Sequence, residues 1–196
     1  MKFVLATANP GKIREMREIL PGFGVEFISR NEIGIDIEVA ETGTTFYENA
    51  LIKARAICTL SGLPAIADDS GLIVEALGGA PGLYTSSFGG EKLSESERCD
   101  YLINKLNDTE HRNAKFVCTI VCVFPNGDVI SAKGECRGTI AHEPAGLGGF
   151  GYDPIFIADG FDKTMAELSP DEKNKTSHRG AALREFAQLL LESEVL

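Results

Sequence analysis

Two adjacent carboxylates, Asp68 and Asp69, follow the apolar run 64–67 and precede Ser70-Gly71. Neighbouring carboxylates are costly to bury unless a cation pairs with them. Mg²⁺ binds one or two carboxylates together with phosphate oxygens and water, and a carboxylate can also deprotonate an attacking water. The pair therefore predicts a cation site or a general base. The alternative is a turn, for which Asp-Ser-Gly is ordinary chemistry, but the apolar approach favours the functional interpretation.

A second candidate is the turn from Thr7 to Lys12, between a predicted strand (Lys2–Thr7) and a predicted helix. Asn9 suits the N-cap and Pro10 the first helical position. A helix N-terminus offers N–H groups and positive potential to an anion, and Lys12 could add a point charge. The Walker A pattern is absent. The turn predicts a phosphate site or, alternatively, an ordinary capped turn with a solvated lysine.

A glycine-rich segment, 146–151, leads into Tyr152-Asp153-Pro. It contains G-x-G-x-x-G, but a dinucleotide site requires that motif to open a helix, which the following residues do not favour. Phe150 could serve as a stacking platform for a base. The equal alternative is that Phe150 belongs to the core.

Further donors and acids complete the set of candidates. Lys173, His178 and Arg179 stand near the start of the last predicted helix, where they could bind phosphate or a purine O6, or simply be solvated. Glu41 could be a remote metal ligand or a surface acid. Asn49 and Lys53 follow on a predicted helix and could face the same site.

The elements that must position these residues alternate between strand and helix. The segment 45–48 has the T-x-x-E pattern of a capping box, 94–97 has S-x-x-E, and Asn126-Gly127 predicts a hairpin turn between 115–124 and 129–140. Extended segments are expected at 64–68 and 72–76, around Asp-Ser-Gly, and Pro21-Gly22 is expected to end the first helix. The pattern predicts an α/β fold with a mixed sheet and one domain over residues 1–196.

Composition narrows the function. The chain has 196 residues and a net charge of −10, which disfavours binding to nucleic acid. The sequence has no apolar run long enough for a membrane span, and we expect its N-terminal apolar stretch to be too short for a signal peptide. Its five cysteines form no C-x-x-C, and with three histidines a zinc site is disfavoured. We therefore expect core thiols and a cytoplasmic protein.

Six motifs follow one another along the chain: L-A-T-x-N-x-x-K at 5–12, E-T-G-x-T-F-x-E-N-A at 41–50, A-D-D-S-G-L at 67–72, L-G-G-A-P-G-x-Y at 77–84, E-P-A-G-x-G-G-F-G-Y-D-P at 143–154 and S-H-R-G at 177–180. Together, in this order, they resemble the inosine/xanthosine triphosphate pyrophosphatase family. The resemblance runs nearly end to end. It implies an elongated mixed sheet with flanking helices, two lobes around a central cleft and a homodimer.

The resemblance also implies a reaction and its residues. Unusual purine nucleoside triphosphates (ITP, dITP, XTP) would be hydrolysed to the monophosphate and pyrophosphate, which would keep them out of DNA and RNA. Asp69 would be the general base, and Glu41 with Asp69 would hold Mg²⁺. The substrate-binding residues would be Thr7, Ala8, Asn9, Pro10, Gly11, Lys12, Lys53, Ser70, Phe150, Gly151, Tyr152, Asp153, Lys173, His178 and Arg179.

Base selection follows from hydrogen-bond polarity. Inosine and xanthosine present an acceptor at position 6, whereas adenine presents a donor there. Donors such as His178 or Arg179 would face a donor if ATP bound, a mismatch of about 1–3 kcal/mol. The alternatives are a Maf-type pyrophosphatase with another base preference, a nucleotide-binding protein without activity, and an RNA-binding module, which the net charge disfavours.

Overall fold

The computed structural model describes residues 2–20 and 25–193, so the predicted stop at Pro21-Gly22 lies outside the described residues. The strands are β1 (Lys2–Leu5), β2 (Glu26–Ser29), β3 (Ala65–Val74), β4 (Asn113–Val123), β5 (Val129–Ile140) and β6 (Phe156–Ala158). The α-helices are α1 (Pro10–Ile19), α2 (Phe46–Ser61), α3 (Glu95–Lys105), α4 (Pro170–Thr176) and α5 (His178–Glu192). No helix within the described ranges is long and apolar enough to cross a membrane.

The strands form one sheet in the order β2-β1-β3-β4-β5-β6. β1 pairs in parallel with β2 and β3, and β5 pairs antiparallel with β6. The predicted α/β class with a mixed sheet is therefore confirmed. β4 and β5 are neighbours joined by the predicted turn, in which Gly127 has a φ of 95°.

The chain divides into two compact units. The first comprises the described residues of Met1–Asp69, Cys118–Gly134 and Arg179–Leu196, and the second comprises Ser70–Val117 and Glu135–His178. In the first unit one apolar cluster joins the sheet to α1 and α5, and another joins it to α2. The core of the second unit gathers residues of α3, β4, β5 and β6. All five cysteines are buried, as predicted.

Helix starts follow their capping residues. The Asn9 side chain accepts a hydrogen bond from the Lys12 N–H, and Pro10 opens α1. The box at Ser94 and Glu97 is complete. At α2 only half of the predicted box forms, because Thr45 accepts from the Glu48 N–H while the Glu48 carboxylate accepts from Thr44 instead.

One sequence-based expectation was wrong, and one element was not foreseen. The two extended segments expected around Asp-Ser-Gly are one continuous strand, β3, and Gly71 does not adopt a positive φ. The strand continues because β3 is paired between β1 and β4 in the sheet, and this pairing outweighs the local turn propensity. The short helix α4 was not foreseen either, although Ser169 and Glu172 form a capping box at its start.

Candidate active site

Asp68 and Asp69 point to opposite faces of the sheet, since successive side chains of a strand alternate. Ile66 lies in the apolar cluster with α1 and α5, so Asp68, two residues on, faces those helices. Ala65 and Ala67 lie in the cluster with α2, so Asp69 faces α2. Although the two carboxylates are neighbours in sequence, they occupy different environments within the first unit.

Asp68 is almost fully buried, at 2% exposure, and is surrounded by positive charge. Its Oδ2 lies 2.9 Å from Lys12 Nζ and 3.0 Å from Arg179 Nη2. Burial alone would raise the pKa of this carboxyl, but the charges of Lys12 and Arg179 outweigh burial and hold the pKa well below its ordinary range. Asp68 is therefore ionised and a weak proton acceptor.

Arg179 lies at the centre of this buried network. Besides Asp68, its Nη1 donates to Glu15 Oε2 at 2.6 Å, and both acids and the guanidinium are buried. Burial alone would lower the pKa of Arg179. The Asp68 and Glu15 carboxylates outweigh burial and raise the pKa above its ordinary value, so the side chain is charged. The predicted contact of Arg179 with the purine base of a substrate stays a prediction. In the structure its guanidinium group hydrogen-bonds to the carboxylates of Asp68 and Glu15.

Asp69 has a more open and less strongly paired environment. Its Oδ1 lies 3.4 Å from Lys53 Nζ, and its Oδ2 accepts from Asn49 Nδ2 at 3.2 Å. Burial raises the pKa of Asp69, the positive charge of Lys53 opposes that effect, and the nearby Glu41 carboxylate adds to it, so that the pKa is raised overall. Of the two carboxylates, Asp69 is the better proton acceptor.

The side chains of Glu41 and Asp69 both lie near the ammonium group of Lys53. Lys53 Nζ lies 3.1 Å from Glu41 Oε1 as well as near Asp69. Burial lowers the pKa of Lys53, but Asp69 and the other nearby acids outweigh burial and raise it. No group of three or more His, Cys, Asp or Glu side chains in residues 2–20 and 25–193 is arranged to hold a metal ion. Two carboxylates that already share a cation nevertheless fit Mg²⁺, which takes its other ligands from phosphate and water.

The turn at the start of α1 has the predicted cap. Thr7 Oγ1 accepts from the Asn9 N–H at 3.1 Å, and Asn9 Oδ1 accepts from the Lys12 N–H at 3.1 Å. Ala8, Asn9 and Pro10 are exposed and Gly11 is half-buried. Phosphate binding by this turn stays a prediction, but Lys12 is not the solvated side chain of the alternative interpretation, because it contacts Asp68.

In the second unit, Lys173 joins Phe150 and Asp153. Lys173 Nζ lies 2.6 Å from Asp153 Oδ2 and 4.6 Å from the centroid of the Phe150 ring. The same Asp153 oxygen accepts from the Phe150 N–H at 2.8 Å. A Cβ at Gly149 would lie 2.0 Å from that oxygen, so the tight loop requires glycine there. Phe150 is half-buried. Its exposure is intermediate between that of a core residue and that of an open stacking platform, the two alternatives that the sequence left.

The other predicted residues of the second unit are also held by their surroundings. The Tyr152 hydroxyl donates to the Thr85 carbonyl at 3.1 Å, and its ring belongs to the core. His178 is buried and stacks on Phe116, with ring centroids 4.6 Å apart. Gly151 donates its N–H to Glu95 at 2.9 Å, and Ser70 follows Asp69 in β3.

Sequence reasoning missed two acids that support these groups. Glu15 is buried beside Arg179, and Glu95, in the first turn of α3, holds Gly151. Glu15 follows Lys12 by three residues and precedes the buried Met16, so an acid near the buried side of a helix was an available signal. Nothing in the local sequence connects Glu95 with residue 151.

Comparison with known proteins places the chain in a family. A model of the Ham1 family matches residues 3–189. The chain belongs to the Ham1 family. A similar relative is a dITP/XTP pyrophosphatase of Aquifex aeolicus, 49% identical, with 99% of this chain and 98% of that protein covered.

Solved structures of Ham1 proteins have the same fold. The Staphylococcus aureus Ham1 protein is 40% identical with a TM-score of 0.88, and covers 99% of this chain and 100% of its own. A nucleoside-triphosphatase, dITP/XTP pyrophosphatase, from Mycobacterium abscessus is 42% identical with a TM-score of 0.75, and covers 97% of this chain and 99% of its own. The expected relation to a family of pyrophosphatases is confirmed.

Proposed function

We propose that this chain hydrolyses dITP, ITP and XTP to the nucleoside monophosphate and pyrophosphate, and so removes them from the nucleotide pool. The relatives that cover nearly all of the chain are named dITP/XTP pyrophosphatases. The observation that carries the proposal is the contrast in β3, where Asp68 is buried and fixed by Lys12 and Arg179 while Asp69 is partly exposed beside Lys53 and Glu41. In this proposal Asp68 orders Lys12, which binds phosphate, and Asp69 accepts a proton.

Asp69 acts as the general base in this proposal. Its carboxylate takes a proton from water as the water oxygen bonds to the α-phosphorus. The bond from the α-phosphorus to its bridging oxygen breaks, and pyrophosphate leaves with that oxygen. The surroundings favour this role, because Asp69 contacts one lysine and one amide, whereas Asp68 is buried and held by two cationic partners.

Glu41 and Asp69 are the residues that would hold Mg²⁺. The bound ion would neutralise charge on the phosphate oxygens, as phosphoryl transfer requires. Lys53, which joins the two carboxylates, and Lys12, at the N-terminus of α1, supply the positive charge that the protein itself offers to the triphosphate. Thr7, Ala8, Asn9 and Gly11 would add backbone donors at the same helix end, while Pro10, which has no N–H, would only shape the turn.

Phe150, Gly151, Tyr152 and Asp153, with Lys173 and His178, would contact the base and the sugar. Phe150 would stack on the base, while Lys173 and His178 would provide donors that match a 6-oxo group. Lys173 is ordered by Asp153, and His178 by Phe116. Donors fixed in this way cannot turn away from the amino group of adenine, which would reject ATP.

A panel of nucleotides tests the proposal. We expect dITP, ITP and XTP to be hydrolysed with Mg²⁺ at rates far above those of ATP and GTP, with pyrophosphate as product. Separate assays for phosphate and pyrophosphate follow the reaction. Preference for other bases would favour the Maf-type alternative, and binding without turnover would favour a nucleotide-binding protein. Release of single phosphates would contradict the bond that we propose to break.

We also propose that the protein is a cytoplasmic homodimer. Tyr84 and Leu147 of the second unit are exposed apolar side chains of the kind that a subunit interface buries. No disulfide joins the five cysteines, all of which lie in the described residues. Light scattering after size exclusion should give twice the chain mass of 21.1 kDa. A mass that stays at one chain at micromolar concentration would contradict the dimer.

A further inference from the structure

Asn49 is buried in the first turn of α2, at 5% exposure, and both ends of its amide are used. Its Oδ1 accepts from the Gly43 N–H at 2.8 Å, and its Nδ2 donates to Asp69 Oδ2 at 3.2 Å. An amide with one donor end and one acceptor end can make both bonds in only one orientation. Asn49 therefore ties the chain at residue 43 to the carboxylate in β3.

Lys53 also links the segment around residues 41–43 to Asp69 in β3. Residues 49 and 53 are four apart on α2 and lie on one face of the helix. Lys53 Nζ contacts Glu41 at 3.1 Å and Asp69 at 3.4 Å. A bound divalent cation would take over the neutralising role of Lys53, but it could not replace the directional hydrogen bonds of Asn49.

Gly43 packs against α2 so closely that no side chain fits. A Cβ at this position would lie 2.6 Å from Glu48 Cβ, 2.7 Å from Asn49 Oδ1 and 2.9 Å from the Asn49 nitrogen. Contacts below about 3.0 Å require something to shift, and two of these three atoms, Glu48 Cβ and the Asn49 nitrogen, are fixed to the helix. The close contact thus sets the position of the chain two residues after Glu41, whose own side chain is 42% exposed and has little packing to hold it.

We infer that Asn49 is a positioning residue that, together with Gly43, holds Glu41 and Asp69 in the arrangement that binds a divalent cation. The inference rests on the proposed function, since that function requires the cation. Groups that orient metal ligands without touching the metal contribute about 10- to 100-fold in metal affinity. Asn49 does this for Asp69 through a hydrogen bond and for Glu41 through the backbone at residue 43.

Two variants disrupt the contact from opposite sides. Asn49→Ala removes the amide, and Gly43→Ala leaves the amide in place but forces residue 43 away from it. Thr59→Ala, at an exposed position of the same helix, is the control. Binding of Mn²⁺ to the nucleotide-free protein, followed by electron paramagnetic resonance, should weaken about 10- to 100-fold in both variants and stay unchanged in the control.

Turnover of dITP separates positioning from a general structural role. The Mg²⁺ concentration that gives half of the maximal rate should rise by a similar factor in both variants, and excess Mg²⁺ should restore most of kcat. The KM for dITP at saturating Mg²⁺ should change much less. A merely structural role would lower the Tm of the metal-free protein and reduce kcat without moving the Mg²⁺ dependence.

The possible results decide between the inference and the function on which it rests. Mn²⁺ affinity equal to the wild type in folded Gly43→Ala overturns the inference even if Asn49→Ala fails to fold. Wild-type protein that binds no Mn²⁺ and turns over dITP without metal overturns the proposed cation site, and the inference with it. Wild-type binding that both variants weaken supports the two together.

Discussion

Replacing Asp69 with asparagine should lower kcat for dITP by about 100- to 10,000-fold, the usual contribution of a general base, while the protein stays folded. The amide has nearly the shape of the carboxylate but cannot accept the proton of the attacking water. Asp69 is only partly buried, and Lys53 keeps Glu41 as a partner after the change. Single-turnover rates together with circular dichroism check both parts of the prediction.

Asp108→Asn is the matched control, because it makes the same chemical change at an exposed position. It should leave kcat near the wild-type value. If Asp69→Asn also retained near-normal turnover, the base would lie elsewhere. Asp68 would then be the first candidate despite its lowered pKa.

The fold could be predicted where residues of fixed conformational preference mark the ends of elements. Asn9 and Pro10 start α1, Ser94 and Glu97 start α3, and the Asn126-Gly127 turn separates β4 from β5. These signals act within four residues and need no tertiary partner. The prediction failed at Asp-Ser-Gly, where β3 continues, because partners from distant segments determine the conformation there.

The candidate site, like the fold, could be predicted only where the signal is local in sequence. Strand alternation alone is enough to send Asp68 and Asp69 to opposite faces, and this would have separated their roles from sequence once β3 was taken as one strand. The partners could not be found in this way. Arg179 and Asp68 are 111 residues apart in sequence, and only the packing of α5 against the sheet brings them together. The presence of Arg179 near a site was therefore predictable, but its pairing with two buried acids was not.

That pairing predicts a large loss of stability when Arg179 is replaced with methionine. The variant keeps most of the side-chain volume but leaves the buried carboxylates of Asp68 and Glu15 without their shared cation. Removing one partner of a buried ion pair typically costs about 3–5 kcal/mol, and here two buried carboxylates lose a cation, although Asp68 keeps Lys12. Urea unfolding at equilibrium measures the change as a shift of the midpoint.

Arg184→Met, at an exposed position of the same helix, is the control and should leave the urea midpoint nearly unchanged. Adding Asp68→Asn and Glu15→Gln to Arg179→Met should recover part of the lost stability, because no buried carboxylate is then left without the arginine. A loss below about 1 kcal/mol for Arg179→Met alone would contradict the central place of this arginine, since a buried unpaired charge costs more than that. The network also holds Lys12 through Asp68. A stable triple variant should therefore still bind the triphosphate less tightly than the wild type. The same buried contacts thus stabilise the first unit and position the positive charge of Lys12 for the substrate.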